Sequence, residues 1–429
     1  MLRKILLYTV FLILLFMTNG FSQEFTDYQI WEEASAGNFF GVGARAMGMG
    51  GAQIATADDA SALVYNPALL TKIKRIELSG AMSHQRLKNE TGFTGNFKPI
   101  RDYLQKESIT QSNTRFSSAN IVLPVPTYRG SLVFALGFNR MKSFDRAYHS
   151  VTLDPSDGAT LLDASVLETG GINMWSFGGA LDLSPNVSIG GVVNYWQGDD
   201  DFLQEYYLPL INKLGYEVRE KNRYLDSYSG WNGKLGFSAQ PNKYLSLGAV
   251  VDFPTKFSIE QDYSFSYDSL KVAPDSEWVS EYEVFGHYDL THPYSLGAGA
   301  ALSFKYFTLA GDIYYTDWSQ MEGKGVDNKL IKENYQEVVR WHIGAEVVMP
   351  EFSTKFRVGY YVDPIPFKTV YLNNDRKYFT LGAGFLIDQV MTLDIAWNHG
   401  FYEFRDNRVQ FIKEAYTTDK IFVGLAYRL

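Results

Sequence analysis

Alternation with a period of two dominates the chain from about Arg75 onward. In 307–316, Phe307, Leu309, Gly311, Ile313 and Tyr315 share one side, against Thr308, Ala310, Asp312, Tyr314 and Thr316 on the other. Successive side chains point to opposite faces in a β-strand and not in a helix, so the stretch predicts a strand with one apolar face and one polar or small face. Val339, Trp341, Ile343, Ala345 and Val347 stand in the same relation to Arg340, His342, Gly344 and Glu346. So do Phe379, Leu381, Ala383, Phe385 and Ile387 to Thr380, Gly382 and Gly384, and Met391, Leu393, Ile395 and Trp397 to Thr392, Asp394 and Asn398. The last stretch sets Ile421, Val423, Leu425, Tyr427 and Leu429 against Phe422, Gly424, Ala426 and Arg428.

About 14 strands are predicted, an even number of the kind that closes an antiparallel barrel. Their centres fall near Ser79, Ala119, Ala135, Phe177, Val192, Leu235, Ala249, Ala298, Ala310, Ile343, Val358, Gly382, Ile395 and Gly424. One strand alone would suit a soluble sandwich, with its apolar face as core. The connections argue for a barrel. Short turns such as Ser184-Pro185-Asn186, Pro241-Asn242-Lys243, 350–353 and Asp388-Gln389 alternate with long polar stretches near 89–113, 142–170, 198–222, 318–333 and 364–374. Short turns at one rim and long loops at the other mark a transmembrane barrel.

The opening residues change the compartment. Arg3 and Lys4 precede an apolar run from Ile5 to Met17, and then Thr18, Asn19, Gly20 and Ser22 follow, the pattern of a secretory signal peptide with cleavage between Ser22 and Gln23. Past residue 22 no run approaches the roughly 18 consecutive apolar residues of a spanning helix. A membrane protein lacking such helices must be a closed barrel, because hydrocarbon satisfies no free backbone group. Aromatics at 16% and 37 glycines fit that reading, and the absence of cysteine excludes disulfides and a lipid-modified N-terminal Cys. The net charge is −9, or about −11 once Arg3 and Lys4 are removed, which excludes a nucleic-acid partner.

Alternation also places Asp182, Asp252, Asp312, Arg340, Glu346, Arg357 and Asp394 on the inner face, since an Arg against lipid near the bilayer midplane costs roughly 2–4 kcal/mol. Two readings stay open for them: a paired network holding the interior together, or a set in which Arg340, with His342 or Arg357, meets a ligand carboxylate through a bidentate guanidinium. Leu203, Tyr206, Tyr207, Leu210, Ile211 and Leu214 recur at helical spacing around Pro209, which predicts an amphipathic segment at the outer mouth, either a capture groove for a hydrophobic ligand or a loop packed over the opening. Gly41-x-Gly43 with Gly48 misses the dinucleotide spacing. The six histidines lack ligand spacing and no nucleophile elbow is present, so neither metal, cofactor nor enzymatic chemistry has support.

Residues 23–74 break the alternation and form a separate N-terminal element ahead of a barrel over 75–429. Here the chain reads Gly43-Ala44-Arg45-Ala46-Met47-Gly48-Met49-Gly50-Gly51-Ala52, then Ala57-Asp58-Asp59-Ala60-Ser61-Ala62, then Asn66-Pro67-Ala68-Leu69-Leu70. It resembles the hatch of the FadL/TodX family of outer-membrane transporters of long-chain fatty acids and other hydrophobic compounds. Tyr315-Thr316-Asp317-Trp318-Ser319, 356–366 and 378–384 extend the resemblance over most of the mature chain.

The resemblance implies an all-β fold, a 14-stranded transmembrane antiparallel β-barrel with a hatch in its lumen, working as a monomer among outer-membrane lipids. It implies a hydrophobic small-molecule ligand such as a fatty acid, captured at an outer groove and released sideways through a gap in the wall, with Asn66, Pro67 and Ala68 against that gap. Pro67 fixes φ and Asn66 bonds its neighbouring backbone, making a rigid turn, while Gly48, Gly50 and Gly51 let the plug backbone approach the wall. An apolar pocket lined by Trp31, Phe39 and Phe40 is expected beside the plug. The competing reading is a barrel that transports nothing and serves as a docking or assembly partner in protein secretion.

Overall fold

The computed structural model describes residues 39–93, 106–154, 157–209, 216–271, 276–324, 327–368, 375–404 and 412–429. The predicted signal peptide, Trp31, Leu210, Ile211 and Leu214 lie outside them.

Alternating faces produce alternating burial. The strands are β1 Glu77–Phe93, β2 Glu107–Val125, β3 Leu132–Arg140 continued by Arg146–Leu153, β4 Thr160–Ser184, β5 Val187–Leu208 and β6 Tyr216–Ala239. There follow β7 Leu245–Asp252 continued by Lys256–Lys271, β8 Ser276–Thr291 continued by Ser295–Ser303, and β9 Phe307–Asp317 continued by Glu322–Lys324. The last are β10 Glu337–Met349, β11 Thr354–Asp363, β12 Arg376–Ile387, β13 Met391–Phe404 and β14 Ile412–Arg428. Each pairs antiparallel with its neighbours, and β14 returns to β1 from Glu77↔Arg428 to Phe93↔Ile412, closing a 14-stranded barrel. Closure removes the two outer edges that an open sheet would leave unpaired in lipid.

The lipid face is the apolar one. Ile313, Trp341, Ile343, Phe379, Leu381, Trp397, Ile421 and Val423 are exposed, whereas Asp312, His342, Thr380, Asn398 and Phe422 from the same strands are buried inside. Every predicted strand centre falls within one of these strands.

Two sequence readings need correction. The stretches 142–170 and 198–222, taken as long connections, are mostly strand, because β3 to β6 continue well past the belt. Leu203, Tyr206 and Tyr207 belong to β5 and not to a helix: Leu203 pairs with Leu167 and Arg223, and Tyr206 with Ala164 and Glu220. Ladder bonds on both flanks outweigh helical spacing interrupted by Pro209.

Residues 39–73 fill the barrel at its short-turn end, and they share one compact unit with it. They form α1 Ala44–Gly48, α2 Ala62–Tyr65 and a 3-10 helix Pro67–Lys72. Helices this short are marginal alone. Burial holds them: Met47, Met49, Ile54, Leu63, Leu69 and Leu70 are shut away from solvent.

Candidate functional site

Small residues set how closely hatch and wall approach. Gly50 has φ +65°, and a Cβ there would stand 2.8 Å from the Tyr360 nitrogen. On the wall side, a Cβ at Gly190 would reach 2.5 Å from the Pro67 carbonyl carbon, and glycines 344, 359, 382, 236 and 248 likewise leave room for hatch backbone or for Asn66. Backbone then docks on backbone around the circumference. Asp312 accepts from Gln53 N at 2.5 Å and Ile54 N at 2.8 Å, Thr380 Oγ1 donates to Gly48 O at 3.1 Å, and Lys234 Nζ donates to Val64 O at 2.5 Å.

Asn66 caps the 3-10 helix, its Oδ1 accepting from Ala68 N at 3.1 Å while Nδ2 donates to Ile54 O at 2.7 Å and Phe237 O at 3.0 Å. The Asn-Pro-Ala turn therefore does form, but no gap lies beside it. Asn66 to Ala68 face β5 and β6, whose ladder runs unbroken from Val187↔Ala239 to Leu208↔Val218.

The inner charges divide by role. Arg45 of the hatch meets Asp58 at 3.0 Å, Gln53 at 3.2 Å and Glu346 at 3.8 Å. Glu346 and Asp394 clamp Arg357 at 2.7 and 2.5 Å. Within the hatch, enclosure pushes the Asp58 carboxyl up, but Arg45, Lys355, Arg428 and Lys72 outweigh it and hold it at about 2. Arg357 thus belongs to the paired network. His342 Nδ1 donates to Gly50 O at 2.6 Å, while its buried Nε2 has no hydrogen-bond partner among the described residues. Arg340 lies between Phe39 and Tyr314, 4.8 Å from each ring, and 3.9 Å from Asp363. Phe39 and Phe40 project into the lumen, Phe39 against His342 and Tyr361 and Phe40 against Phe422.

The β2–β3 ladder is interrupted at a place no motif marked. β3 leaves its ladder with β2 after Ser118↔Asn139, turns inward over 141–145, and resumes at Arg146 paired with β4. Phe144 of the inward turn packs on Tyr228 across the lumen at 5.6 Å. Among the described residues, side chains replace the missing β2–β3 ladder: Asn113 donates to Asp145 at 2.8 Å, Arg115 pairs with Asp145, and Asn89 of β1 donates to Ala147 O at 2.9 Å. Just below this seam β2 bulges at Ser117, between the pairs Ala81↔Ser118 and Met82↔Phe116. The lipid side of the seam is an apolar recess of about 800 Å³ that includes Leu78, Phe116, Ile121, Leu136, Phe138 and Trp175. On the lumen side Val42, Tyr65 and Met174 pack with Met141 and Trp196. An apolar cluster thus lies inside the wall and an apolar recess outside it, with the polar side chains of Asn113, Arg115 and Asp145 between the strands.

Closed wall, apolar belt, seated hatch and side seam together define a class, the outer-membrane β-barrel channel for hydrophobic compounds. The chain belongs to the family of outer membrane protein transport proteins (OMPP1/FadL/TodX), whose model matches residues 29–419. It lies in the bacterial outer membrane. Among solved structures it is similar to the Pseudomonas putida toluene transporter TodX, with a TM-score of 0.63 at 13% identity over 91% of this chain and 99% of that one. A Pseudomonas aeruginosa FadL homologue gives 0.61 at 13%, covering 91% and 99%. The monoaromatic hydrocarbon channel CymD gives 0.58 at 15%, covering 91% and 98%. Likeness at such identity is likeness of fold. No curated protein matches by sequence. The family and these structural neighbours are transporters and channels, not enzymes.

Proposed function

We propose that the protein takes up hydrophobic small molecules passively, long-chain fatty acids or compounds of similar apolarity, and releases them sideways into the membrane through the seam in β3. One observation carries the reading: the β2–β3 ladder is interrupted at 141–145, with an apolar cluster inside it and an apolar recess outside, while the hatch is bonded to the wall on many sides. A ligand leaving by the seam stays out of water, and the hatch keeps its bonds. Leu203, Tyr206 and Tyr207, on a strand rising toward the long-loop rim, remain the candidate capture surface, and Arg340 the candidate lumenal contact from the sequence-derived set.

Tethering the hatch tests this. A Cβ at Gly424 would stand 3.4 Å from the Ala44 Cβ, close to disulfide separation, and the chain has no other cysteine. With Ala44→Cys and Gly424→Cys oxidised, cells should take up radiolabelled dodecanoate at the wild-type rate, whereas Ser117→Trp, which fills the foot of the seam, should abolish uptake. Loss of uptake in the tethered protein, restored by reductant, would show that the ligand leaves through a moving hatch. A barrel that only docks other proteins would show no channel-dependent uptake in any variant.

A further inference from the structure

The geometry points to a strand-docking edge on the outer arm of β8, Ser276–Thr291, which takes an extended segment of a partner protein whose lysines or arginines alternate with apolar residues. The inference stands apart from transport, since this edge lies beyond the belt and does not line the seam.

β7 flanks the arm along its whole length, from Ser276↔Lys271 to Thr291↔Lys256. On the other side only Asp289, Leu290 and Thr291 are paired, with Lys324, Gly323 and Glu322 of β9. Among the described residues, no strand covers that side from Ser276 to Tyr288. At about 3.4 Å per residue this is roughly 40 Å of open edge. β8 meets lipid through Ser295–Ser303, past Pro293, so the arm stands clear of the belt on the long-loop side, away from the periplasm.

Open edges are ordinarily blunted by lysines, a proline or a bulge. The arm has none of these: no Lys, Arg or Pro occurs in 276–291, and its register with β7 runs without a shift. It displays apolar side chains instead, Val279 at 53% exposure, Tyr282 at 48%, Val284 at 52% and Phe285 at 74%. Apolar surface gathered in this way marks an interaction site.

The two faces of the arm specify the partner. On the outer face Glu281 and Glu283 alternate with Val279 and Phe285, and Asp262 and Glu260 of β7 lie across from Phe285 and His287. None of these four carboxylates has an ion pair among the described residues, and His287 meets Asp289 at 3.5 Å. Opposite charges facing across a ladder stabilise it and like charges oppose it, so an incoming strand sets Lys or Arg against Glu281 and Glu283. On the inner face Tyr282 packs on Phe265 at 4.9 Å and on Tyr263 at 5.8 Å. With Val284 it offers an aromatic and β-branched row that favours apolar partners. Backbone bonds then supply affinity and alternate side chains supply selectivity, the mode of strand addition.

A second copy is a poor occupant. Barrel strands tilt roughly 35–45° from the membrane normal, so a two-fold axis along the normal crosses two such arms at about 70–90°, too steep for a ladder. The meeting would also set glutamates against glutamates.

Fluorescence anisotropy on the full-length protein in micelles of a neutral sugar-headed detergent tests the edge, with a labelled synthetic peptide in which lysine alternates with valine. Wild type should bind it saturably. A backbone N-methylated form keeps the charge and side chains but loses ladder bonds, and should bind at least tenfold more weakly. Glu281→Lys combined with Glu283→Lys should weaken the lysine peptide at least tenfold and gain binding of a glutamate–valine peptide, which also shows that the arm of the variant is intact. Equal binding of the methylated peptide would reduce the site to charge alone and overturn strand addition. So would absence of saturable binding by wild type, or a double variant that keeps the lysine peptide or gains nothing for the glutamate one. Dimerisation of wild type in micelles, abolished in the double variant, would give the edge to a second copy and overturn the partner.

Discussion

Arg357→Ala should loosen the hatch without touching it by sequence neighbourhood. The guanidinium side chain is 1% exposed and holds Glu346 at 2.7 Å and Asp394 at 2.5 Å. Glu346 keeps Lys355 at 3.6 Å and the hatch residue Arg45 at 3.8 Å, but Asp394 loses its ion-pair partner. Removing one member of a buried pair costs about 3–5 kcal/mol, because the remaining charge is stranded. Lys355 softens this toward the lower end. At 1.4 kcal/mol per decade, the range corresponds to roughly 100- to 4,000-fold more frequent opening. Hydrogen exchange followed by mass spectrometry on peptides covering 44–53 reads that opening directly. Arg357→Met combined with Asp394→Asn, which removes both charges, should return most of the protection. Wild-type exchange in the single variant, within threefold, would refute the claim that this network pins the hatch, and so would a double variant as loose as the single one.

Gly50→Ala should destabilise the folded barrel by about 1–3 kcal/mol, since the added methyl meets the β11 backbone and the residue keeps a positive φ; heat-modifiable gel mobility should show a lower transition temperature. Acid should leave the hatch alone until late. A carboxyl held near 2, below its ordinary value of 3.8, contributes fully above pH 4 and loses its contribution as pH falls toward 2. Exchange of the peptide spanning Asp58 should therefore be flat from pH 8 to 4.5 after correction for intrinsic rates and rise below 3. The effect is small, because the Asp58 side chain is 45% exposed. A rise beginning near pH 6 would point to a different titrating group.

Much of this architecture was written in the alternation. Each strand was legible because its two faces meet such different media: Ile343 and Trp341 face lipid while His342 faces the hatch. The Gly- and Ala-rich run from Gly43 was legible as something that packs backbone against backbone. The seam was not. No glycine or proline lies within 141–145, whereas the interruptions of β7 and β8 carry Pro254 and Pro293. Phe144 packs there on Tyr228, a contact between strands far apart in sequence, and the room for the inward turn comes from Gly171 on the neighbouring strand, where a Cβ would stand 2.4 Å from Lys142 O. The roles of the inner charges were not legible for a related reason. Alternation puts Arg340 and Arg357 alike on the inner face, and only the structure shows Arg357 clamped by Glu346 and Asp394 while Arg340 stands over the Phe39 and Tyr314 rings.

Glu77, the first residue of β1, accepts from Ala60 N of the hatch at 2.7 Å through one oxygen and from Arg428 Nε of the last strand at 2.7 Å through the other. Arg428 in turn donates to Asp58 O at 2.8 Å. One fully buried carboxylate is therefore shared by the beginning of the sheet, its end and the plug. A barrel that closed around nothing would leave Glu77 without one partner and Arg428 without another, at the very joint that must hold the circle together. Completion of the ring and occupancy of its interior are then coupled at one joint, each satisfying groups that the other would leave buried and unpaired.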